Sequence, residues 1–255
     1  MIKAIIFDLD GTLWNGEIVI KGAVDTIAVL KNLGYQMFFL TNNSGKTQKQ
    51  IIDKLKSFGF PAESQNTYCG SYAMATYLAE NKILSVYVVG AKGLKKDLRS
   101  YDIRVEEFSD VSAVVVGLDP TLSYHKIAMA SDAIRNGAKL IVSNLDRFYP
   151  IENNQRLPGC GAMVGAIVGA TGYKPDFQVG KPNTYMLELI CKEHKLSAKE
   201  ICLVGDELEN DIKMARNFGC ESILFDPKIT FSSFTGKKTR ELCKIISILK
   251  GGYLK

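Results

Sequence analysis

The sequence predicts an α/β fold built on parallel sheets, with helices covering both faces of each sheet. Short apolar runs alternate with segments of helical spacing along most of the 255 residues. The apolar runs are also continuous, as at residues 4–7, which is typical of strands buried on both faces. Hydrophobic residues make up 46% and charged residues 23% of the chain, a composition typical of globular proteins and not of disordered ones.

Each element follows from its local pattern. Ile51, Ile52, Leu55 and Phe58 share one face of a helix, for example, and Gly59 ends it. Strands are predicted at residues 4–7, 35–40, 67–69, 85–89, 113–117, 139–142, 201–204 and 222–225. Helices are predicted at residues 22–33, 48–58, 72–80, 92–98, 123–136, 161–171, 183–195, 210–218 and 239–249. The Gly-Tyr-Lys-Pro stretch at residues 172–175 has the composition of a linker.

Composition and charge argue against several classes of protein. No apolar run reaches the roughly 18 residues that a membrane-spanning helix needs. The six cysteines are scattered without a CxxC pair, which favours buried thiols in a reducing compartment. The net charge of +5 is modest, and the basic cluster at residues 92–99 has the pattern of a solvated helix face. We therefore expect a cytoplasmic protein that binds neither membranes nor nucleic acid.

Polar residues follow three of the predicted strands and precede one of the predicted helices. In open parallel sheets, ligands bind beyond the carboxyl ends of the strands, so we expect these groups to meet at one site. They are Asp8-Leu9-Asp10-Gly11-Thr12, Thr41-Asn42-Asn43-Ser44, Gly180-Lys181-Pro182-Asn183, and Gly205-Asp206 with Asp211.

Four carboxylates at one site would repel one another unless a cation binds among them. Mg²⁺ prefers such hard oxygen ligands and leaves room for phosphate and water. Lys181 adds a point charge suited to a phosphate, and Thr41 and Asn42 add neutral donors. Together these are the groups that phosphoryl transfer requires. Each motif alone has a structural interpretation as a turn, a helix cap or a helix start; the combination and its order favour the functional one.

These four motifs, in this order, resemble those of the haloacid-dehalogenase (HAD) superfamily. The run Thr41-Asn42-Asn43-Ser44, Gly180-Lys181-Pro182 and the stretch at residues 157–161 resemble its NagD and p-nitrophenyl-phosphatase subfamily. The resemblance implies a Rossmann-like, HAD-like catalytic core interrupted by an inserted α/β cap domain. We place the core at residues 1–82 and 177–255 and the cap at residues 83–176. The resemblance also allows a homodimer that forms through the cap.

The same resemblance implies a Mg²⁺-dependent phosphomonoester hydrolase that acts on a small phosphorylated metabolite. Asp8 would be the nucleophile that forms an aspartyl-phosphate, and Asp10 the general acid and base. Lys181 would assist as the third catalytic residue. The metal would be held by Asp8, Asp10 through its backbone carbonyl, Asp206 and Asp211. The phosphate would be held by Thr41, Asn42, Asn43 and Lys181.

Two positions depart from the usual family pattern, because Glu207 and Asn210 stand where an arginine and a threonine are common. Two other hypotheses stay open: a phosphotransferase that uses an acceptor other than water, and a non-catalytic protein that binds phosphometabolites. We expect Trp14 to pack in the core, although it could instead form a wall of the site. Asn144 and Asp146, which follow a predicted cap strand, indicate either a substrate contact or a turn.

Overall fold

A computed structural model describes residues 1–150 and 155–251 of the chain. The few residues of the predicted domains at 151–154 and 252–255 lie outside this range. The described chain forms two compact units. The first comprises Met1–Thr41, Ile52–Thr67 and Lys181–Lys255, and the second comprises Asn42–Ile51 and Tyr68–Gly180. The second unit contains the predicted cap together with residues 42–51 and 68–82, which are predicted as part of the core. These compact units are not the same division as the predicted domains, whose limits stay a prediction.

The strands and helices have the following bounds. The strands are β1 Ala4–Asp8, β2 Trp14–Asn15, β3 Ile18–Val19, β4 Gln36–Thr41, β5 Thr67–Cys69, β6 Ser85–Val89, β7 Arg104–Glu106, β8 Ala113–Val116, β9 Lys139–Val142, β10 Phe148–Pro150, β11 Arg156–Pro158, β12 Phe177–Gln178, β13 Ile201–Gly205, β14 Glu221–Phe225 and β15 Lys238–Thr239. The α-helices are α1 Ala23–Asn32, α2 Gln48–Ser57, α3 Gly70–Glu80, α4 Lys92–Arg99, α5 Tyr124–Arg135, α6 Cys160–Thr171, α7 Tyr185–His194, α8 Lys213–Phe218 and α9 Ile245–Leu249.

The larger sheet has six strands in the order β15-β14-β13-β1-β4-β5. Its central strand β1 is buried along its whole length and pairs in parallel with β13 and with β4. Continuous burial explains why residues 4–7 are all apolar, since neither face of the strand meets water. The chain returns to the centre of this sheet with β13, so motifs far apart in sequence end at the same edge.

The second unit has its own five-stranded sheet in the order β12-β9-β8-β6-β7. Its recorded strand pairings are parallel, and β8 is buried throughout. Valines and leucines of this sheet pack with apolar residues of α5 and α6 in one hydrophobic core. The predicted α/β class with parallel sheets is therefore confirmed in both units.

Several predicted elements differ from the observed ones. The helix predicted at residues 210–218 starts as a π-helical turn at Leu208–Ile212, and α8 follows it. The helix predicted at residues 239–249 is wrong in its first half, because Thr239 lies in β15 and pairs with Phe225 of β14. A 3-10 turn at Leu242–Lys244 then leads into α9.

Residues 177 and 178, which carry no predicted element, form the short strand β12. Phe177 and Gln178 pair with Ile141 and Val142, so β12 extends the second sheet. The ring of Phe177 stacks on Tyr77 with centroids 4.1 Å apart, which holds this strand in the second unit. The sequence does not predict the two hairpins β2–β3 and β10–β11 or the polar edge strand β7, because these particular strands lack the continuous apolar run of the buried ones. In the described part of the chain, no helix has the length and apolar character needed to cross a membrane.

Candidate active site

Three carboxylates converge at the carboxyl end of the larger sheet. Asp8 is the last residue of β1, and the pairing of Phe7 with Val204 places Asp206 just beyond the end of the neighbouring β13. Asp211 lies in the π-helical turn that follows. Each of these three residues offers a carboxylate oxygen, and the three oxygens all lie within 4.8 Å of one another.

Lys181 joins this carboxylate cluster from the chain segment that precedes α7. Its Nζ donates hydrogen bonds to Asp8 Oδ1 at 2.5 Å and to Asp211 Oδ1 at 2.7 Å. Lys181, Asp8 and Asp211 are buried, and Asp206 is partly buried. One ammonium among three carboxylates leaves an excess of negative charge in a place that water reaches poorly, which is unfavourable unless a cation is added.

The pKa values of the carboxylates show the same excess. Burial raises the pKa of Asp8 well above its usual range, and the Asp211 and Asp206 carboxylates add to the rise against the opposing effect of Lys181. Burial, followed by Asp211 and Glu207, raises the pKa of Asp206 to about 7. For Lys181, burial favours the neutral amine, but Asp211 and Asp8 outweigh it and raise its pKa, so the ammonium persists.

The donor set fits a divalent cation of the hard type. Carboxylate oxygens are what Mg²⁺ binds in proteins, and a partly buried group of three with excess negative charge meets that requirement. The structure therefore brings together Asp8, Asp206 and Asp211 of the predicted metal ligands. The side chain of Asp10, by contrast, is not a member of this carboxylate cluster.

Two glycines allow the carboxylates to approach the backbone. A Cβ added to Gly11 would lie 2.2 Å from Asp206 Oδ2, and Gly11 has a φ of +96° that side chains rarely adopt. A Cβ added to Gly205 would lie 2.2 Å from the carboxyl carbon of Asp211. Thr12 Oγ1 donates to Asp206 Oδ1 at 3.1 Å, which fixes this carboxylate from the β1 side.

The loop after β4 contains the other predicted phosphate ligands. Thr41 is the buried last residue of β4, next to Leu40, which pairs with Asp8. The side-chain oxygen of Asn43 accepts hydrogen bonds from the backbone N–H groups of Gly45 at 3.0 Å and Lys46 at 3.1 Å. Its oxygen therefore shapes a turn, which is the structural interpretation that the sequence offered.

Asn42 is held within the second unit by the loop after β9. Its Nδ2 donates to Asp146 Oδ2 at 3.0 Å, and its carbonyl accepts from Asn144 Nδ2 at 3.0 Å. Asn144 Oδ1 in turn accepts from the backbone N–H of Asp146 at 3.1 Å. Gly180 makes room for this arrangement, because an added Cβ there would lie 2.6 Å from Asn42 Oδ1.

Comparison with known proteins identifies the family to which the chain belongs. The model of the haloacid dehalogenase-like hydrolases matches residues 5–104, and a second model, HAD-hydrolase-like, matches residues 178–229. The chain is 34% identical to phosphoglycolate phosphatase 1A of Arabidopsis thaliana over 88% of this chain and 68% of that protein. The chain belongs to the haloacid dehalogenase-like hydrolase family.

Two further relatives of this HAD hydrolase support the same conclusion. The 5'-nucleotidase YutF of Bacillus subtilis is 35% identical over 89% of this chain and 88% of that protein. The solved p-nitrophenyl phosphatase from Archaeoglobus fulgidus superposes with a TM-score of 0.89 at 26% identity, over 96% of this chain and 98% of that one. The predicted resemblance to NagD and p-nitrophenyl phosphatases is confirmed, as is the prediction of a HAD-type phosphatase.

The two residues that depart from the family pattern, Glu207 and Asn210, are hydrogen-bonded to each other. Asn210 Nδ2 donates a short hydrogen bond to Glu207 Oε2, so the two unusual residues contact each other along the π-helical turn. The backbone N–H of Glu207 also donates to Asp211 Oδ2 at 3.0 Å. Glu207 thus supports the Asp211 carboxylate through its backbone while its side chain adds negative charge beside Asp206.

The HAD hydrolase site contains one contact that the sequence does not predict. Trp14 Nε1 donates to Asp10 Oδ1 at 2.7 Å, although the sequence favours a packing role for this tryptophan. Trp14 does pack, since only 1% of it is exposed, but its polar atom has a partner too. A signal existed, because a buried indole N–H needs an acceptor and Asp10 is four residues away.

Proposed function

We propose that this HAD hydrolase is a Mg²⁺-dependent phosphomonoester hydrolase that works through an aspartyl-phosphate on Asp8. The observation that supports this best is the buried group of Asp8, Asp206 and Asp211 around the ammonium of Lys181. A nucleophilic carboxylate must approach an anionic phosphate, and the positive charge beside Asp8 reduces the repulsion between them.

In the first step, an oxygen of Asp8 forms a bond to phosphorus while the bond from phosphorus to the ester oxygen breaks. The neutral carboxyl of Asp10 gives its proton to the departing oxygen, which leaves as an alcohol. The phosphoryl group is then held on Asp8 as an acyl phosphate. Asp8 suits this role because β1 and the Lys181 hydrogen bond fix its direction.

In the second step, the Asp10 carboxylate takes a proton from a water molecule. The oxygen of that water bonds to phosphorus while the bond between phosphorus and Asp8 breaks. The products of the whole cycle are an alcohol and inorganic phosphate, and both aspartates return to their starting states. A single exposed carboxyl such as Asp10 can serve both steps, because it ends the first step ionised.

Asp8, Asp206 and Asp211 would hold Mg²⁺, and the family resemblance adds the backbone carbonyl of Asp10. When bound, Mg²⁺ supplies positive charge that offsets the negative charge of the carboxylates and of the transferred phosphoryl oxygens. Asp211 also holds Lys181 in place at 2.7 Å. Thr12 keeps Asp206 directed at the site at 3.1 Å.

For the phosphate, we propose Thr41, Asn42 and Lys181 as the main donors. Thr41 ends β4 beside the partner of Asp8. The amide of Asn42 is oriented by Asp146, which limits its rotation. Asn43 is the weaker candidate among the predicted ligands, because its side-chain oxygen already accepts two backbone hydrogen bonds.

We further propose that the substrate is a small phosphorylated metabolite. The relatives named above act on phosphoglycolate and on 5'-nucleotides, so the family shares the phosphoester and varies the leaving group. Selection of the leaving group by the cap at residues 83–176, and a homodimer through that cap, stay predictions from the family resemblance.

The proposed function is tested by turnover of a panel of phosphate esters with Mg²⁺, with EDTA, and in Asp8→Asn. We expect Mg²⁺-dependent release of inorganic phosphate that EDTA stops and added Mg²⁺ restores. Asp8→Asn should abolish turnover and still fold, because Lys181 keeps its hydrogen bond to Asp211. Wild-type rates in Asp8→Asn, or a rate that EDTA leaves unchanged, would contradict the proposal.

A further inference from the structure

We propose that Trp14 is a positioning residue that aims the carboxyl group of Asp10 at the leaving-group oxygen. The inference rests on the proposed function, in which Asp10 is the general acid and base. It begins from the hydrogen bond that Trp14 Nε1 donates to Asp10 Oδ1 at 2.7 Å.

The chemistry of the indole decides how this hydrogen bond is used. An indole N–H can only donate, so Asp10 Oδ1 can only accept from it. When Asp10 is a neutral acid, its carbonyl oxygen is the better acceptor of the two, so the hydrogen bond to Oδ1 favours the proton on Oδ2. Oδ1 is thus held by Trp14, and Oδ2 is left to transfer the proton.

A tight turn places the two side chains together. The backbone N–H of Gly11 donates to the Trp14 carbonyl at 2.7 Å, and that of Leu13 donates to the Leu9 carbonyl at 2.8 Å. Asp10 and Trp14 also form an isolated β-bridge across this turn. Residues four apart are thereby brought side by side, which an extended chain would not do.

Trp14 is itself held firmly in the first unit. Its ring lies edge-on to Phe58 with centroids 5.4 Å apart, and it packs against Phe60 at 6.4 Å. Lys54 Nζ lies 5.1 Å from the centroid of the Trp14 ring and donates to the Gly16 carbonyl at 2.8 Å. Asp10 is exposed while its hydrogen-bond donor is buried. A fixed donor thus restrains a carboxyl group that solvent alone would leave free to rotate.

If Trp14 positions the general acid, the loss of rate in a Trp14 variant should depend on the leaving group of the substrate. Phenolate is a poor leaving group that needs a proton from Asp10, whereas p-nitrophenolate leaves readily without one. Loss of the N–H should therefore slow phenyl phosphate more than p-nitrophenyl phosphate. The value of kcat/KM is the right readout, because it reports the first step and is independent of the hydrolysis of the acyl phosphate.

The experiment measures kcat/KM for both esters, with Mg²⁺, in the wild type, Trp14→Phe, Asp10→Asn and Phe60→Leu. A fifth protein carries 3-benzothienylalanine at position 14, which keeps the shape of the indole without its N–H. We expect both position-14 variants to lose about tenfold on phenyl phosphate and less than about threefold on p-nitrophenyl phosphate, since misplaced catalytic groups cost up to about a hundredfold. Phe60→Leu, which loosens packing but keeps the N–H, should affect both esters equally.

The outcomes separate this inference from the proposed function. A parallel loss on both esters in the benzothienyl protein, alongside a selective loss in Asp10→Asn, would overturn the role of Trp14 and leave the function standing. A selective loss in Phe60→Leu as large as that at position 14 would assign the effect to packing and also overturn the role. No selective loss in Asp10→Asn would overturn the acid role of Asp10 itself.

Discussion

At the scale of single residues, Glu207 adds negative charge next to the carboxylate cluster. This side chain raises the pKa of Asp206, after burial and Asp211, so it increases the free energy needed to keep the cluster ionised without a cation. The same negative charge attracts a cation once one is present. If the site binds the proposed cation, Glu207 would favour that bound state, in a position where the family more often has an arginine.

We predict that Glu207→Gln weakens Mg²⁺ activation about two- to fivefold, because an exposed charge near the metal is screened by solvent and salt. The measurement is the Mg²⁺ concentration that gives half-maximal turnover, at low and at high salt. Glu209→Gln is the matched control, since Glu209 is exposed and pairs with Lys213 at 3.1 Å. An equal effect of the two variants would show that only overall charge matters.

At the scale of elements, the turn after β1 shows how local backbone geometry builds the site. Gly11 combines a positive φ with a close approach of the Asp206 carboxylate. Gly22, at the start of α1, has a φ of +77° and an added Cβ there would meet none of the described atoms within 4 Å. A side chain at Gly22 would therefore cause backbone strain alone, whereas a side chain at Gly11 would cause strain and a clash with Asp206.

We predict that Gly11→Ala lowers kcat/KM by more than about a hundredfold, because its Cβ would displace a metal-site carboxylate. Gly22→Ala should reduce the free energy of unfolding by about 1–2 kcal/mol, the cost of a left-handed backbone, with unchanged kcat/KM. Steady-state kinetics and urea unfolding of both variants measure these effects. Equal losses of activity in the two variants would show that strain alone impairs the site.

Long elements are more predictable from the sequence than short ones, although the bounds of the three-residue strand β5 agree with the prediction. The runs that became β6, α2 and α5 have enough apolar residues to show their period, and their predicted bounds differ from the observed ones by one residue at most. β12 and β15 have two residues each, so tertiary pairing decides them. The π-helical turn before α8 was also missed, because one extra residue per turn leaves little trace in an apolar pattern.

The sequence predicts the charged residues of the candidate site but not the hydrogen bonds that orient Asp10 and Asn42. The sequence predicts Asp8, Lys181, Asp206 and Asp211 as one group, because strand ends of a parallel sheet share an edge, and the structure brings them together. The contact of Trp14 with Asp10 depends on a turn geometry that residue types alone do not specify. Likewise, the hydrogen bond from Asn42 to Asp146 joins residues 104 positions apart.

At the scale of the whole molecule, the site exists only when distant parts of the chain have folded. Lys181 and Asp8 are 173 residues apart in sequence, and Thr12 and Asp206 are 194 apart. The unfolded chain therefore has no comparable cluster of oxygens, so the proposed Mg²⁺ would bind the folded state in preference. Binding to the folded state alone stabilises it by mass action.

We predict that Mg²⁺ at about 100 times its dissociation constant stabilises the protein by about 2.7 kcal/mol and raises Tm by about 5–10 °C. The raised pKa of Asp206 means that its ionised form is unfavourable in the folded protein without metal. Asp206→Asn should thus leave the metal-free Tm equal to or above that of the wild type and shrink the rise with Mg²⁺. Thermal unfolding with EDTA and with Mg²⁺ measures both effects; an undiminished rise in Asp206→Asn would exclude Asp206 as a ligand.

Trapping the acyl phosphate is the most direct test of whether the phosphoryl group passes through Asp8. Asp10→Asn should accumulate this species from p-nitrophenyl phosphate, because the first step then needs no acid while the second lacks its base. After an acid quench, borohydride reduces an aspartyl-phosphate to homoserine, which peptide mass spectrometry locates. We expect homoserine at position 8, dependent on both substrate and Mg²⁺. Release of p-nitrophenolate with no modified residue, or with modification at another residue, would contradict it.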